Sequence, residues 1–118
     1  MKVRDSYTCP LQLTHDIIRG KWKPIILWQL GKGVTSLSTL LNDIIGIGQK
    51  MLLQHLRELQ EFGMVQKEQF EGYPIKVEYS LTDKGKRMLD VIVTMQEIGI
   101  ELMKEDGKED FLKNKGLI

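Results

Sequence analysis

The feature that most constrains the fold of this chain is a short alternating segment that follows a leucine-patterned helix. Between residues 74 and 81 apolar and polar residues alternate, which is typical of a strand that buries one face. The apolar members are Ile75, Val77, Tyr79 and Leu81. A less regular stretch from Val65 precedes it, with Gly72 and Pro74 between the two. This pattern predicts a β-hairpin over residues 65–81. A hairpin of this size is marginal alone, so it must pack on helices.

Apolar spacing and helix-breaking residues predict five helices around this hairpin. They span Pro10 to Ile18, Trp22 to Leu30, Leu37 to Asp43, Gln49 to Phe62, and about Asp83 to Glu105. Gly63 is a natural left-handed cap for the fourth helix. Thr82 can cap the start of the fifth. A short extended segment is expected at residues 34–36.

The order of these elements predicts a winged helix-turn-helix. The chain is expected to be mainly α, with a small β-hairpin wing, an added N-terminal helix and a long C-terminal helix. Residues 1–118 would form one winged-helix domain, since the length suits a single core. Residues 1–19 and 83–105 would supply dimerisation helices, and residues 106–118 a C-terminal tail.

The fourth predicted helix has one apolar face and one cationic and amide-bearing face. At 100° per residue, Leu56 and Leu59 fall close to Leu52. The opposite side carries Lys50, Gln54 and Arg57. Glutamine and arginine are side chains that read adenine and guanine edges in the major groove. We therefore interpret residues 49–62 as a recognition helix. The alternative is a solvated face, because these residue types favour any exposed helix.

Charge is distributed unevenly although the net charge is only +1. Residues 1–60 hold eight Lys and Arg against four Asp and Glu, and residues 61–118 hold nine against twelve. A basic half is compatible with one surface that faces phosphate. The full set of candidate DNA-binding residues is Gln49, Lys50, Gln54, Arg57, Lys67, Lys76, Lys21 and Lys23. For Lys21 and Lys23 a solvated lysine is an equal alternative.

Catalysis, metal binding and membrane insertion find no support in the sequence. Gly31-Lys32-Gly33 and Gly46-Ile47-Gly48 lack the further residues of a nucleotide-binding glycine loop. The two histidines, His15 and His55, are too far apart to form a metal-ligand motif. No window is apolar enough for a membrane span, and the start of the chain has no apolar signal region. We expect a cytoplasmic protein without cofactor or metal, and not an enzyme.

A winged helix can also serve as a protein-interaction module, because fold does not dictate function. Such a module would more often present apolar or acidic groups on the exposed face of the fourth helix. Lys50, Gln54 and Arg57 favour double-stranded DNA as the partner.

The chain resembles the HxlR family of bacterial, MarR-like winged-helix transcription regulators. The resemblance runs from about Cys9 to Met103. Its landmarks are Cys9-Pro10, Gly20-Lys21-Trp22, Ile25-Ile26-Leu27, Leu30, Gly46-Ile47, Lys50-Met51-Leu52, Leu56-Arg57-Glu58-Leu59, Gly63-Met64-Val65, Val77-Glu78-Tyr79-Ser80-Leu81-Thr82 and Gly85. The chain departs from the family pattern at Ser36-Leu37, Gly48, Ile75 and Ile98. The resemblance implies a dimeric DNA-binding repressor or activator without a metal.

The last predicted helix carries more apolar residues than one buried stripe needs. A helix that is apolar on two sides needs a second surface besides its own core. We expect a homodimer on a palindromic operator, built from this helix and the N-terminal helix. The candidate dimerisation residues are Leu13, Ile17, Ile92, Met95, Ile98, Gly99 and Leu102. The alternative is a monomer in which residues 111–118 cover the second side.

Cys9 is the single cysteine and therefore has no partner within the chain. It directly precedes a predicted helix start, where free amide groups stabilise a thiolate, and Arg4 is a further candidate cation. The resemblance implies a possible role in sensing oxidants or electrophiles, since some members of the family use a cysteine at this position. The alternative is a small buried hydrophobic residue.

Overall fold

The computed structural model describes residue 6 and residues 8–118. The helices are α1 (Pro10–Ile18), α2 (Trp22–Leu30), α3 (Leu37–Asp43), α4 (Gln49–Glu61), α5 (Asp83–Glu105) and α6 (Glu109–Asn114). The strands are β1 (Val65–Phe70) and β2 (Lys76–Leu81), which pair as an antiparallel hairpin between α4 and α5. The winged helix-turn-helix order is confirmed. Helix α6 is an addition, because the sequence predicted only a tail there.

The core forms where α2, α4 and the base of the hairpin meet. Leu52, Leu56 and Leu59 of α4 are fully buried, as the helical wheel predicts. They pack with Ile26, Leu27 and Leu30 of α2, with Leu40 of α3, with Tyr79 and Leu81 of β2, and with Ile92 of α5. Each fully buried leucine contributes about 1.5–3 kcal/mol through loss of contact with water. The leucine face of α4 therefore fixes which side of that helix points outward.

A network of backbone and threonine contacts joins α4, the hairpin and α5. Gly63 has a φ of +74° and closes α4, as predicted. The next amide, Met64 N–H, donates to Leu59 O at 2.9 Å. The Thr82 side chain caps α5 by accepting from Gly85 N–H at 3.0 Å, and its hydroxyl donates to Gly63 O. One threonine thus links the end of α4 to the start of α5.

The hairpin is held at its base and projects at its tip. Thr35 and Tyr79 exchange backbone hydrogen bonds of 3.0 and 2.7 Å, so the predicted extended segment forms a short bridge beside β2. Tyr79 and Leu81 are buried, and Val77 is half-buried. The prediction that Ile75 lies on the buried face is wrong, because Ile75 precedes β2 and is 58% exposed. The alternating pattern of the sequence continues to the tip of the hairpin. The helices that cover the base of the hairpin do not extend that far.

Two predicted dimerisation residues belong to the core instead. Ile17 and Ile92 are 4% and 5% exposed, and Leu13 packs half-buried against the same core. The outer side of α5 carries a separate apolar stripe, formed by Val91, Met95, Ile98 and Leu102, each 51–58% exposed. Helix α6 returns toward α5 and buries Leu112 completely. The stripe stays exposed, so the tail does not cover it.

A buried ion pair connects α2 to α4. Lys23 Nζ lies 3.0 Å from Glu58 Oε2, and both side chains are almost fully buried. The prediction that Lys23 contacts phosphate is wrong, because its ammonium group points into the protein. Burial alone would raise the pKa of Glu58, but the hydrogen bond and charge of Lys23 lower it below the ordinary value. The Glu58 carboxylate therefore stays ionised at neutral pH. Removing one partner of such a pair typically costs about 3–5 kcal/mol.

His55 lies beside this pair. Its Nδ1 is buried 3.8 Å from Glu58 Oε1 and makes no direct hydrogen bond within the described residues. Burial lowers the pKa of His55 first, and the charge of Lys23 lowers it further, while Glu58 opposes both. The imidazole is therefore held neutral in the folded protein at neutral pH.

We expect a loss of stability as the pH falls below about 6.5, the ordinary pKa of histidine. Because the folded pKa of His55 is lowered, the unfolded chain binds the proton at higher pH than the folded protein does. Between the two pKa values protonation favours the unfolded state, so stability falls with pH. The measurement is the midpoint of thermal or urea unfolding between pH 7.5 and 5.

Replacing His55 should reduce this dependence. His55→Gln should flatten the slope of stability against pH below about 6.5. His15→Gln, on the exposed side of α1, should retain the slope because His55 is still present. An unchanged slope in His55→Gln would show that other groups cause the loss.

Candidate nucleic-acid interface

Buried residues hold the loop before α4 in place, and the first helical turn of α4 is exposed. Ile44 and Ile47 are buried on either side of Gly46, whose φ is +94°. A glycine adopts this conformation without the strain that a side chain would cause. Gly48 caps α4 in an extended conformation, and Leu52 N–H donates to its carbonyl at 3.0 Å. The amino-terminal end of α4 therefore projects from a fixed turn.

The exposed face of α4 carries the predicted recognition residues together. Gln49, Lys50, Gln54 and Arg57 are all exposed. Glu58, which follows Arg57, is turned into the core. Glu61 is the last residue of α4. The outward surface of the first three turns thus presents cations and amides without a carboxylate. This is the chemistry that contacts phosphates and base edges.

Two of these side chains lie near titratable residues of the core. Gln54 precedes Glu58 by one helical turn and is among the groups that lower the pKa of that carboxyl, after Lys23. Arg57 lies close enough to Tyr79 of β2 for its charge to act on the phenol. Burial raises the pKa of Tyr79, and the charge of Arg57 partly offsets that rise. Arg57 therefore lies at the junction of α4 and the hairpin.

The two wing lysines lie on opposite faces of the hairpin. Lys67 pairs in register with Tyr79, whose side chain points toward the helices, so Lys67 shares that face. Lys76 lies on the other face, 3.0 Å from Glu78 and above the Phe70 ring. Both lysines are exposed. Lys67 is therefore directed toward the α4 side, whereas Lys76 already has a carboxylate partner.

The wing as a whole is slightly acidic. Residues 65–81 hold two lysines and three glutamates, and the tip exposes Phe70, Tyr73 and Ile75. A wing of this composition attracts phosphate weakly, because its charges largely cancel. Sequence reasoning found the lysines but missed the acids, although counting charges within the hairpin alone would have shown them.

The remaining predicted residues are dispersed. Lys21 is exposed at the start of α2, where its ammonium group lies 4.5 Å from the centre of the Trp22 ring. Cys9 is exposed at the amino-terminal end of α1, so the buried alternative for this cysteine is wrong. Its proposed neighbour Arg4 lies outside the described residues. Met95, Ile98 and Leu102 lie on the outer stripe of α5, and Gly99 lies between them.

Sequence reasoning missed the link between Lys23 and Glu58. A lysine at a helix start and a glutamate in a polar-looking helix both read as solvated residues, and 35 positions separate them. Within the described residues no helix is long and apolar enough to cross a membrane, and no cluster of three or more potential metal ligands occurs.

Comparison with known proteins gives one consistent result. The family model for the HxlR-like helix-turn-helix matches residues 17–107. The HTH-type transcriptional regulator YdeP of Bacillus subtilis strain 168, itself uncharacterized, is 41% identical over 95 residues, which cover 80% of this chain and 74% of YdeP.

Two solved structures share the fold at substantial sequence identity. The oxidised form of the redox regulator HypR is 36% identical with a TM-score of 0.74, covering 79% of this chain and 96% of that one. The reduced form of the transcriptional regulator YodB of B. subtilis is 28% identical with a TM-score of 0.68, covering 77% and 90%. With the fold and the cationic face of α4, these matches show that the chain belongs to the HxlR-like helix-turn-helix family of DNA-binding transcriptional regulators.

Proposed function

We propose that this regulator reads its operator through α4 in the major groove and contacts the flanking backbone with Lys67 of the wing. The observation that carries the proposal is the exposed, acid-free face formed by Gln49, Lys50, Gln54 and Arg57. Gln54 and Arg57 have the planar groups suited to two-point contacts with bases, whereas lysine offers a flexible point charge. The cytoplasm, which holds the DNA to be regulated, is the expected site of action.

Lys76 has a smaller part in this arrangement than Lys67. Contact with phosphate would require Lys76 to leave Glu78, and the acids of the wing would oppose the approach. An exposed ion pair is worth at most about 1 kcal/mol, so this exchange weakens the contact without blocking it. Lys21 at the start of α2 is a second backbone candidate.

Substitutions should separate residues that read bases from residues that hold phosphate. Arg57→Ala or Gln54→Ala should cost about 1–3 kcal/mol on the cognate site and much less on random DNA. Lys67→Ala should weaken binding to both duplexes equally. It should also lower the slope of log affinity against log salt concentration by roughly one unit. Lys76→Ala should have the same kind of effect but a smaller one. The measurement is titration with a duplex that the wild-type protein selects from a randomised pool, and with its scrambled version, at several salt concentrations.

A specific pattern would overturn this assignment. If Lys67→Ala abolished sequence preference while Arg57→Ala and Gln54→Ala only lowered affinity uniformly, the wing would be the reading element. If the wild-type protein enriched no duplex at all, α4 would be the surface of a protein-interaction module.

We further propose that two copies associate through the outer stripe of α5. Val91, Met95, Ile98 and Leu102 follow one another at intervals of four, three and four residues, the spacing of a helix–helix seam. Gly99 has open space around its α-carbon, which would allow a second helix to approach. A two-fold dimer would place two α4 helices about 34 Å apart, one turn of DNA, and would suit a palindromic operator.

Placing a charge in the stripe should prevent association. Ile98→Asp should convert a dimer into a monomer at micromolar concentration, because a carboxylate cannot be buried unpaired in an apolar seam. Ile45→Asp is the matched control, since Ile45 is 84% exposed in the turn before α4. The measurement is sedimentation velocity. A wild-type monomer at this concentration would contradict the dimer proposal.

We also propose that Cys9 makes DNA binding responsive to oxidants or electrophiles. The thiol is exposed beside α1, and two solved relatives are described as a redox regulator and as a diamide-treated regulator. Oxidation would join Cys9 to the same residue of a second copy or to a small thiol, because the chain has no other cysteine.

Diamide in the presence of glutathione should therefore change the DNA affinity of the wild-type protein but not that of Cys9→Ser. Non-reducing electrophoresis and mass spectrometry would show which disulfide forms. An equal response in both proteins would show that Cys9 is not the sensor.

A further inference from the structure

A cavity lies between the base of the wing, the loop that follows α2 and the first turns of α5. Its volume is about 390 Å³, within the range of pockets that hold small molecules. Leu30, Leu81 and Leu89 give it an aliphatic lining, and the largely exposed Val34 lies at its rim. Because Leu30 and Leu81 belong to the buried core, the fold fixes this part of the lining.

The contact between Gly31 and Leu89 forms one wall of the cavity. Gly31 ends α2 with a φ of −63°, a helical conformation that any residue adopts. A Cβ atom at this position would overlap the Leu89 side chain, so the glycine is what allows Leu89 to lie against the backbone. A second hollow of about 190 Å³ shares these two residues and is also lined by Trp28, Lys32 and Val93. Leu89 is thus a common wall of both hollows.

Hydrogen-bonding groups of the wing line the opposite side of the cavity. Gln66 and Ser80 pair across the hairpin, and Gln66 Nε2 donates to Ser80 Oγ at 3.0 Å. This bond occupies the hydroxyl as an acceptor and leaves its proton available, while Gln66 keeps its second amide N–H. Two donors therefore remain for a bound group that accepts hydrogen bonds.

The charge of the cavity is positive. Lys86 is the one charged residue among the described residues that line it. Its ammonium group has no ion pair within the described part of the chain, although Asp90 follows one helical turn later. Glu68 and Glu78 lie further toward the tip on the same face of the hairpin, and Lys76 pairs with Glu78. An anion in the cavity thus has a cation available to it.

The cavity is separate from the surfaces proposed above for DNA and for a second copy. Gln66 and Ser80 alternate with Lys67 along the strands, so the cavity opens on the face of the hairpin away from Lys67. Around α5, Leu89 lies about 180° from Ile98 of the outer stripe, counted at about 100° per residue. Binding in the cavity therefore requires neither the proposed docking of α4 nor the proposed dimer.

We propose that this cavity is a binding site for a small aliphatic carboxylate. Lys86, with the free donors of Ser80 and Gln66, would hold the carboxylate, and the leucine lining would cover the aliphatic body. The lining is aliphatic rather than aromatic, so it offers a planar ring no stacking partner. Such a ligand would contact the wing, the loop after α2 and α5 at once, which is a position suited to an effector of a regulator.

The experiment compares a carboxylate with an uncharged compound of the same shape. The probes are 4-methylpentanoate and 4-methylpentanamide, and inorganic phosphate supplies an anion without an aliphatic body. Each is titrated at neutral pH into the isotope-labelled 118-residue protein. The readout is the dissociation constant from NMR shifts of the Gln66 side-chain amide and the Ser80 backbone amide, which report on the cavity directly.

We expect 4-methylpentanoate to bind with a dissociation constant of about 1 mM or lower, within reach of a ligand of about eight non-hydrogen atoms. The amide should bind roughly fivefold more weakly, the contribution of one exposed ion pair. Phosphate should bind at least roughly tenfold more weakly than 4-methylpentanoate, because it buries no apolar surface. Lys86→Met should bring the constants of the carboxylate and the amide to within roughly twofold of each other.

Four results would each overturn the proposal. They are the absence of shifts at Gln66 and Ser80 with 4-methylpentanoate, equal binding of the carboxylate and the amide to the wild-type protein, phosphate binding as tight as that of the carboxylate, and an unchanged preference in Lys86→Met.

Two matched lysine variants test whether the effect belongs to this cavity. Lys84→Met removes the same charge two residues away, and the Lys84 ammonium group lies toward Gly63 instead. Lys32→Met removes the cation of the second hollow. Both variants should keep the roughly fivefold preference for the carboxylate. A loss of preference in Lys32→Met but not in Lys86→Met would place the carboxylate in the second hollow. An equal loss in Lys84→Met and Lys86→Met would show an effect of overall charge, and either result contradicts the assignment.

Discussion

The burial of Leu52, Leu56 and Leu59 is the constraint on which the rest of the structure depends. These three residues place α4 against α2 and the base of the hairpin, and their combined burial is worth several kcal/mol. An exposed ion pair, by comparison, contributes about 1 kcal/mol or less. Once this face is buried, helical geometry turns Lys50, Gln54 and Arg57 outward. The cationic and amide-bearing face of α4 is thus a consequence of core packing.

The same packing orients the wing, because only a short loop joins α4 to β1. Gly63 ends α4, β1 starts two residues later, and Thr82 returns to the Gly63 carbonyl while capping α5. Because Tyr79 and Leu81 are buried, the hairpin cannot rotate about its base. The tip has no comparable contacts and remains exposed. The fold therefore holds the part of the wing that carries Lys67 against the helices. The tip, which carries Tyr73, is exposed.

Much of this could be predicted from the sequence because it depends on local periodicity. The bounds of α1, α2, α3 and α5 match the predicted ranges, and α4 ends one residue early. Three features could not be predicted, since each depends on a distant partner. Lys23 points inward because Glu58 meets it there, Ile17 and Ile92 join the core rather than an interface, and α6 forms where Leu112 reaches α5. An apolar pattern on one helix does not distinguish its own core from a second copy.

The same reasoning explains why α5 and α4 carry different kinds of exposed surface. Both helices bury one face in a shared core, and their outer faces are then available for contacts with other molecules. On α4 the outer face is cationic and amide-bearing, which suits a partner with a dense array of phosphates and base edges. On α5 it is an apolar stripe between charged positions, which suits an identical stripe. A core that holds the two helices rigidly relative to each other would convert association through one face into a fixed spacing of the other. That spacing, rather than any single contact on α4, would then decide which operators two copies can bind at once.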